Sequence, residues 1–133
     1  MKKMLLATTA AALVATTAMA DGHAKEVKLG VEFGFTGPIE SLTGPMSAGA
    51  ELAMKEVTDS GMLLDGAKVT SIRADSGCID NGLAVASAER LIAEGVSGII
   101  GADCSGVTGA VLQNVAIPNG MVMISPSASN PSL

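Results

Sequence analysis

The chain has no tryptophan and no tyrosine, and its aromatic rings are Phe33 and Phe35 alone. Single-stranded nucleic acid is gripped by stacking on such rings, and sugars use the same platforms, so either partner would find little to hold. Basic side chains are also scarce, eight Lys and Arg against thirteen Asp and Glu. A net charge of −5 offers no attraction to nucleic acid or to an anionic membrane surface. Histidine occurs once, at His23, and the carboxylates are scattered, so no metal-ligand spacing is found. No G-x-x-x-x-G-K-S/T run occurs, and Gly30, Gly34 and Gly37 lack the G-x-G-x-x-G spacing of a dinucleotide turn. The expectation is a protein without metal, cofactor or nucleic-acid partner.

What is present begins with a secretion signal. Lys2 and Lys3 precede an apolar, threonine-softened run from Met4 to Ala15, and Ala18-Met19-Ala20 is a small-x-small cleavage site before Asp21. The run is shorter than the roughly 20 apolar residues of a bilayer-spanning helix and is broken by Thr8, Thr9, Thr16 and Thr17. Residues 1–20 are therefore expected to be cleaved, releasing the chain into an oxidising extracytoplasmic space. A polar leader, 21–26, follows, and 27–133 is enough for one small domain. Without Lys2 and Lys3 the net charge falls to about −7, which serves solubility.

The two cysteines fit that compartment. Cys78 and Cys104 form an even set in a secreted chain, which makes a disulfide the first expectation. The bridge would restrict the unfolded chain by about 3 to 4 kcal/mol on the chain-entropy model. The competing reading is a catalytic thiol, because Cys104 lies in the tight Gly101-Ala102-Asp103-Cys104-Ser105-Gly106 turn. That turn lacks the glycine two residues before the nucleophile used by the elbow motif.

Periodicity orders the rest. Val27, Leu29, Val31 and Phe33 alternate with Lys28, Gly30 and Glu32 as a strand. Gly34 to Gly44 is expected as loop, with Pro45 in the first turn of a helix carrying Ala50, Ala53, Met54 and Val57 until Ser60-Gly61. Asp65-Gly66 is a turn and Lys68 to Ala74 a second strand. Leu83, Ala84, Ala88, Leu91 and Ile92 mark a helix ending at Gly95, and Val96 to Gly101 a buried strand. A third helix runs from Ser105 to about Val115, with Ile117-Pro118-Asn119-Gly120 as its exit. Met121 to Ser125 is a fourth strand, and Pro126 to Leu133 is loop. Strands alternating with helices imply an α/β class, an open parallel sheet with helices on both faces.

Such a sheet holds its ligand beyond the carboxyl ends of the strands, near the point where strand order reverses. Three loops fall there: Gly34 to Gly44, Gly101 to Gly106 and Ser125 to Ser132. They are poor in charge and rich in hydroxyls and backbone N–H groups, which suits a carboxylate. The plain alternative is that these are turn and cap residues.

Five segments, in order, carry a family resemblance: Phe35-Thr36-Gly37-Pro38 with Gly49-Ala50-Glu51-Leu52-Ala53, Asp75-Ser76-Gly77-Cys78, the Ala84 to Gly95 helix, Ile100-Gly101-Ala102-Asp103-Cys104-Ser105, and Met123 to Pro131. The chain from Val27 onward resembles the N-terminal part of the type I periplasmic solute-binding proteins of ABC transporters, in the branched-chain amino-acid branch. The resemblance implies two lobes closing on an amino acid and a membrane ABC permease as partner, with a Cys78 to Cys104 disulfide. It implies a hydroxyl and an N–H from Ser105 on the ligand carboxylate, the Ser127 carbonyl on its ammonium, and hydroxyl plus N–H from Ser129. Leu42 falls where several members carry an aromatic residue over the ligand side chain, so it lines a candidate apolar pocket without fixing specificity. The family continues well past the position of Leu133, so the sequence is expected to be part of a longer protein. Two rival readings stand beside this one: a secreted hydrolase using Cys104 or Ser105, and a sensor domain of the same fold.

Overall fold

The computed structural model describes residues 25–133; the expected signal, 1–20, the leader as far as residue 24, and His23 lie outside the described residues. The first strand, β1 (Glu26–Phe33), is followed by α1 (Glu40–Ser60), a short 3-10 turn (Leu63–Asp65) and β2 (Lys68–Asp75). Then come α2 (Asn81–Ala93), β3 (Gly98–Gly101), α3 (Ser105–Val111), a π-helical turn (Leu112–Ala116), α4 (Ile117–Asn119) and β4 (Met123–Ile124). All strand pairs are parallel, in the order β2-β1-β3-β4, so the expected α/β sheet is present. The order reverses between β1 and β3, where crossovers leave to opposite sides.

Helices lie on both faces. On one, Ala84, Ala88 and Leu91 of α2, spaced four and three residues apart, pack with Val107 and Val111 of α3, Ala74, Ile99 and Ala102. Gly30 lets α2 approach, since a Cβ there would stand 2.6 Å from Leu91 Cδ1. On the other face Met54 packs with Val31 and Phe33, flanked by Met46 and Ala50, and Thr58 Oγ1 accepts the Val69 N–H at 2.9 Å to tie α1 to β2. This second face is covered over β1 and β2 only; Val122 and Ile124 beside β3 are 64% and 67% exposed.

Four boundaries depart from the sequence expectation; the third strand begins at Gly98 rather than at Val96. The helix expected from Pro45 begins at Glu40, with Pro45 in its second turn and Leu42 and Gly44 inside it. The Leu42 N–H bonds Ile39 O at 2.8 Å, and the Thr43 and Ser47 hydroxyls donate to Glu40 O and Gly44 O, so the missing Pro45 N–H forfeits one bond only. The third helix runs past Val115 into the expected exit segment: a π-helical turn widens it ahead of Pro118, which sits in the last turn before Gly120 (φ +61°) ends it. The fourth strand shrinks from five residues to two, because Ser125 turns its hydroxyl back onto Ala102 O rather than extending the ladder.

Candidate functional site

Every loop at the carboxyl edge of the sheet meets at Asp103, which is 3% exposed. After β1, the Gly34 N–H donates to Asp103 Oδ2 at 2.7 Å. After β2, the Ser76 hydroxyl donates to Oδ1 at 3.2 Å. After β3, the Cys104 N–H donates to the same oxygen at 3.0 Å. After β4, the Ser127 hydroxyl donates to the Asp103 carbonyl at 2.7 Å. The three bonds to the buried carboxylate are charge-assisted and among the stronger polar contacts a protein makes, and the Ser127 bond to the carbonyl adds the loop after β4.

Two further ties hold the same edge. Cys78 and Cys104 are joined, with Cα atoms 5.2 Å apart, linking the loop after β2 to the start of α3. Asp75 accepts the Thr36 hydroxyl at 2.6 Å, the Thr36 N–H at 3.2 Å and the Gly77 N–H at 2.9 Å. Burial pushes the Asp75 carboxyl up, but these donors outweigh it and hold the group below the usual carboxylate range.

On this base the serines of the resemblance converge. Ser105 Oγ accepts the Ser129 N–H at 3.2 Å and the Asn130 N–H at 3.3 Å, so the loop after β4 folds over the start of α3. Both lone pairs of the hydroxyl are then engaged and its proton is left to donate. Ser125 shapes that loop by accepting the Ala128 N–H at 2.9 Å. Ser129 and Ser127 are exposed and Ser105 is half-buried, so the cluster faces outward. One difference from expectation stands out: the Ser129 N–H, assigned to a ligand by the resemblance, donates instead to Ser105 Oγ. Leu42 sits in the first turn of α1, 59% exposed.

The disulfide removes Cys104 as a free thiol, so the thiol version of the hydrolase reading fails. Ser105 Oγ bonds to backbone N–H groups, and the sequence's single histidine is outside the described residues, so no base is shown beside it.

Sequence reasoning misses two acidic residues. Asp103 is hidden in a loop whose legible feature is its hydroxyls. Alternation places Glu32 on the solvated side of its strand, yet it is fully buried, and neither carboxylate oxygen has a partner among the described residues. Burial first, and the Asp103 charge second, push its carboxyl up to about 8. A sheet covered on both faces buries both sides of its inner strands, and that is the signal available.

Comparison with known proteins agrees with the fold. Residues 26–133 match the family model described as periplasmic binding protein. Among curated relatives, the Leu/Ile/Val-binding protein BraC3 of Rhizobium johnstonii is 30% identical over 98% of this chain and 35% of its own length. The Leu/Ile/Val-binding protein homolog 7 of Brucella melitensis is 36% identical over 80% of this chain and 25% of its own. The branched-chain amino acid transporter substrate binding protein LivJ of Streptococcus pneumoniae, solved in complex with isoleucine, superposes with a TM-score of 0.72. It is 29% identical, over 80% of this chain and 30% of that one. The chain thus spans between a quarter and about a third of the length of these relatives.

Proposed function

The chain belongs to the periplasmic binding protein family, and from that premise we propose that the whole protein captures a branched-chain or related amino acid outside the cytoplasm and delivers it to an ABC permease. In this reading residues 1–20 direct export and are removed, and 27–133 form part of the first of two lobes. The observation that carries it is the convergence of Ser105, Ser127 and Ser129 at the sheet's carboxyl edge, beyond β3 and β4 and beside the switch point between β1 and β3.

The roles follow from what each group still offers. The Ser105 hydroxyl donates its free proton to the ligand carboxylate, joined by N–H groups that the start of α3 leaves unpaired. The Ser127 carbonyl and the Ser129 hydroxyl take the ammonium. A closing ligand would draw the Ser129 N–H from Ser105 Oγ, so capture exchanges a loop bond for a ligand bond. Leu42, exposed on the first turn of α1, is the apolar contact this lobe provides for the ligand side chain. Capture of this kind needs a difference in affinity between open and closed states rather than a reactive group, so the proposal is a non-enzymatic one.

Calorimetric titration of the full-length protein, signal removed, against the natural amino acids tests this. Submillimolar binding of leucine, isoleucine or valine, weakened in Ser105→Ala, is the expected result. No heat from any amino acid would remove the assignment.

A further inference from the structure

Asp103 and Glu32 form a pair that amino-acid capture does not by itself use. Among the described residues Asp103 alone bonds all four loops at the carboxyl edge, and it directly precedes the Cys104-Ser105 start of α3. Glu32 lies beneath it on β1, with Ala74 of β2 and Gly101 of β3 as its register partners. Gly30, two residues earlier on the same side of the strand, packs under Leu91, so Glu32 enters the layer between the sheet and helices α2 and α3. Small neighbours on that layer, Ala74, Ala84, Ala88 and Gly101, leave room for the side chain.

The other charged groups on the elements packed around Glu32 are turned elsewhere. From β2, Asp75 bonds Thr36 and Gly77, and Arg73 pairs with Glu51. From α2, Glu89 is exposed, and the exposed Arg90 and Glu94 pair with each other. From β3 and α3 no titratable side chain enters the layer: Gly98–Gly101 and Ser105–Val111 contain none. Asp103 is therefore the charge Glu32 meets.

We propose that Asp103 is the positioning residue of the amino-acid site, and that the buried Glu32 carboxyl beneath it, when it ionises, loosens the hold of the Asp103 carboxylate on the loops after β1, β2 and β3. The inference rests on the amino-acid reading of the site. With Glu32 protonated, Asp103 holds the Gly34 and Cys104 N–H groups and so fixes Ser105. Loss of the Glu32 proton sets a second negative charge against Asp103 in a dry layer, where repulsion is strong. Asp103 is then pushed away from Glu32 and becomes a poorer acceptor for those donors.

The test compares wild type, Glu32→Gln and Asp103→Asn of the full-length, signal-free protein between pH 6.5 and 9.5. It uses L-leucine, L-isoleucine and L-valine as ligands. The ligand ammonium loses its proton over the upper part of that range, so the readout is the difference from Glu32→Gln, which cannot ionise. In the limit where only the protonated form binds, the wild-type Kd rises relative to Glu32→Gln by about tenfold per pH unit above about 8. Asp103→Asn binds more weakly at pH 7 and lacks the pH step. Parallel wild-type and Glu32→Gln profiles, or Asp103→Asn affinity equal to wild type, would overturn the inference. If none of the three amino acids binds, the amino-acid reading has failed, and amide NMR of the ligand-free protein still decides the clasp. A Gly34 and Cys104 amide titration near pH 8, absent in Glu32→Gln, upholds it; its absence in wild type refutes it.

Discussion

Replacing Glu32 by Gln should make the protein more stable at neutral pH and leave it unchanged in acid. An unfolded Glu ionises around 4.5, whereas the folded chain holds this proton up to about 8. Below 4.5 both states are protonated and the residue is neutral with respect to folding. Between 4.5 and 8 the unfolded state sheds the proton and the folded state keeps it, so stability falls by about 1.4 kcal/mol for each pH unit. The loss reaches about 3 kcal/mol at pH 7 and about 5 kcal/mol at pH 8, beyond which both states are ionised and the curve is flat. Gln keeps the shape of the acid and carries no proton to lose. Urea unfolding of wild type and Glu32→Gln, followed by circular dichroism at intervals from pH 4.5 to 8.5 with the disulfide intact, measures the gap directly. It should open steadily in favour of the mutant. Curves that stay parallel over the whole range would refute the reasoning, because they would mean that Glu32 titrates alike folded and unfolded.

Three other outcomes follow from the same geometry. Cys78→Ser with Cys104→Ser opens a bridge spanning a 26-residue separation and should cost about 3 to 4 kcal/mol, read as a lower urea midpoint. Gly101→Ala places a Cβ 2.2 Å from Glu32 O at a φ of +142°, so a loss above about 3 kcal/mol, or failure to accumulate folded protein, is expected on expression and thermal melting. Ser105→Ala removes one charge-assisted bond and should raise the Kd of the bound amino acid by about 10- to 100-fold in calorimetry. Its melting temperature should change little, since Asp103 still ties the loops.

The order of elements is legible in the sequence because each obeys its own period. Val27 to Phe33 alternate, while Ala84, Ala88 and Leu91 recur at helical spacing, and glycines at 61, 66, 95 and 120, all at positive φ, punctuate them. The start of α1 is not legible. A proline and glycine in its first turns read as loop, and the bonds that make the chain already helical there, Leu42 N–H to Ile39 O and the Thr43 and Ser47 hydroxyls to Glu40 O and Gly44 O, leave no mark in the sequence. The shortness of β4 is equally hidden, since the Ser125 hydroxyl that ends it bonds a residue 23 positions away. At the site, the serines are readable because their loops follow strands in a parallel sheet. The acids beneath them are not. Alternation assigns Glu32 to a wet face on local grounds, and only the second layer of helices, a tertiary fact, makes that face dry.

Whether this sheet edge grips an amino acid by its backbone groups is tested most directly by a crystal structure of the full-length, signal-free protein grown with L-leucine. The expected result is the leucine carboxylate within hydrogen-bond distance of Ser105 Oγ, and the ammonium beside the Ser127 carbonyl and the Ser129 hydroxyl. Leucine seated elsewhere, or held at this edge with its carboxylate turned away from Ser105, would contradict it.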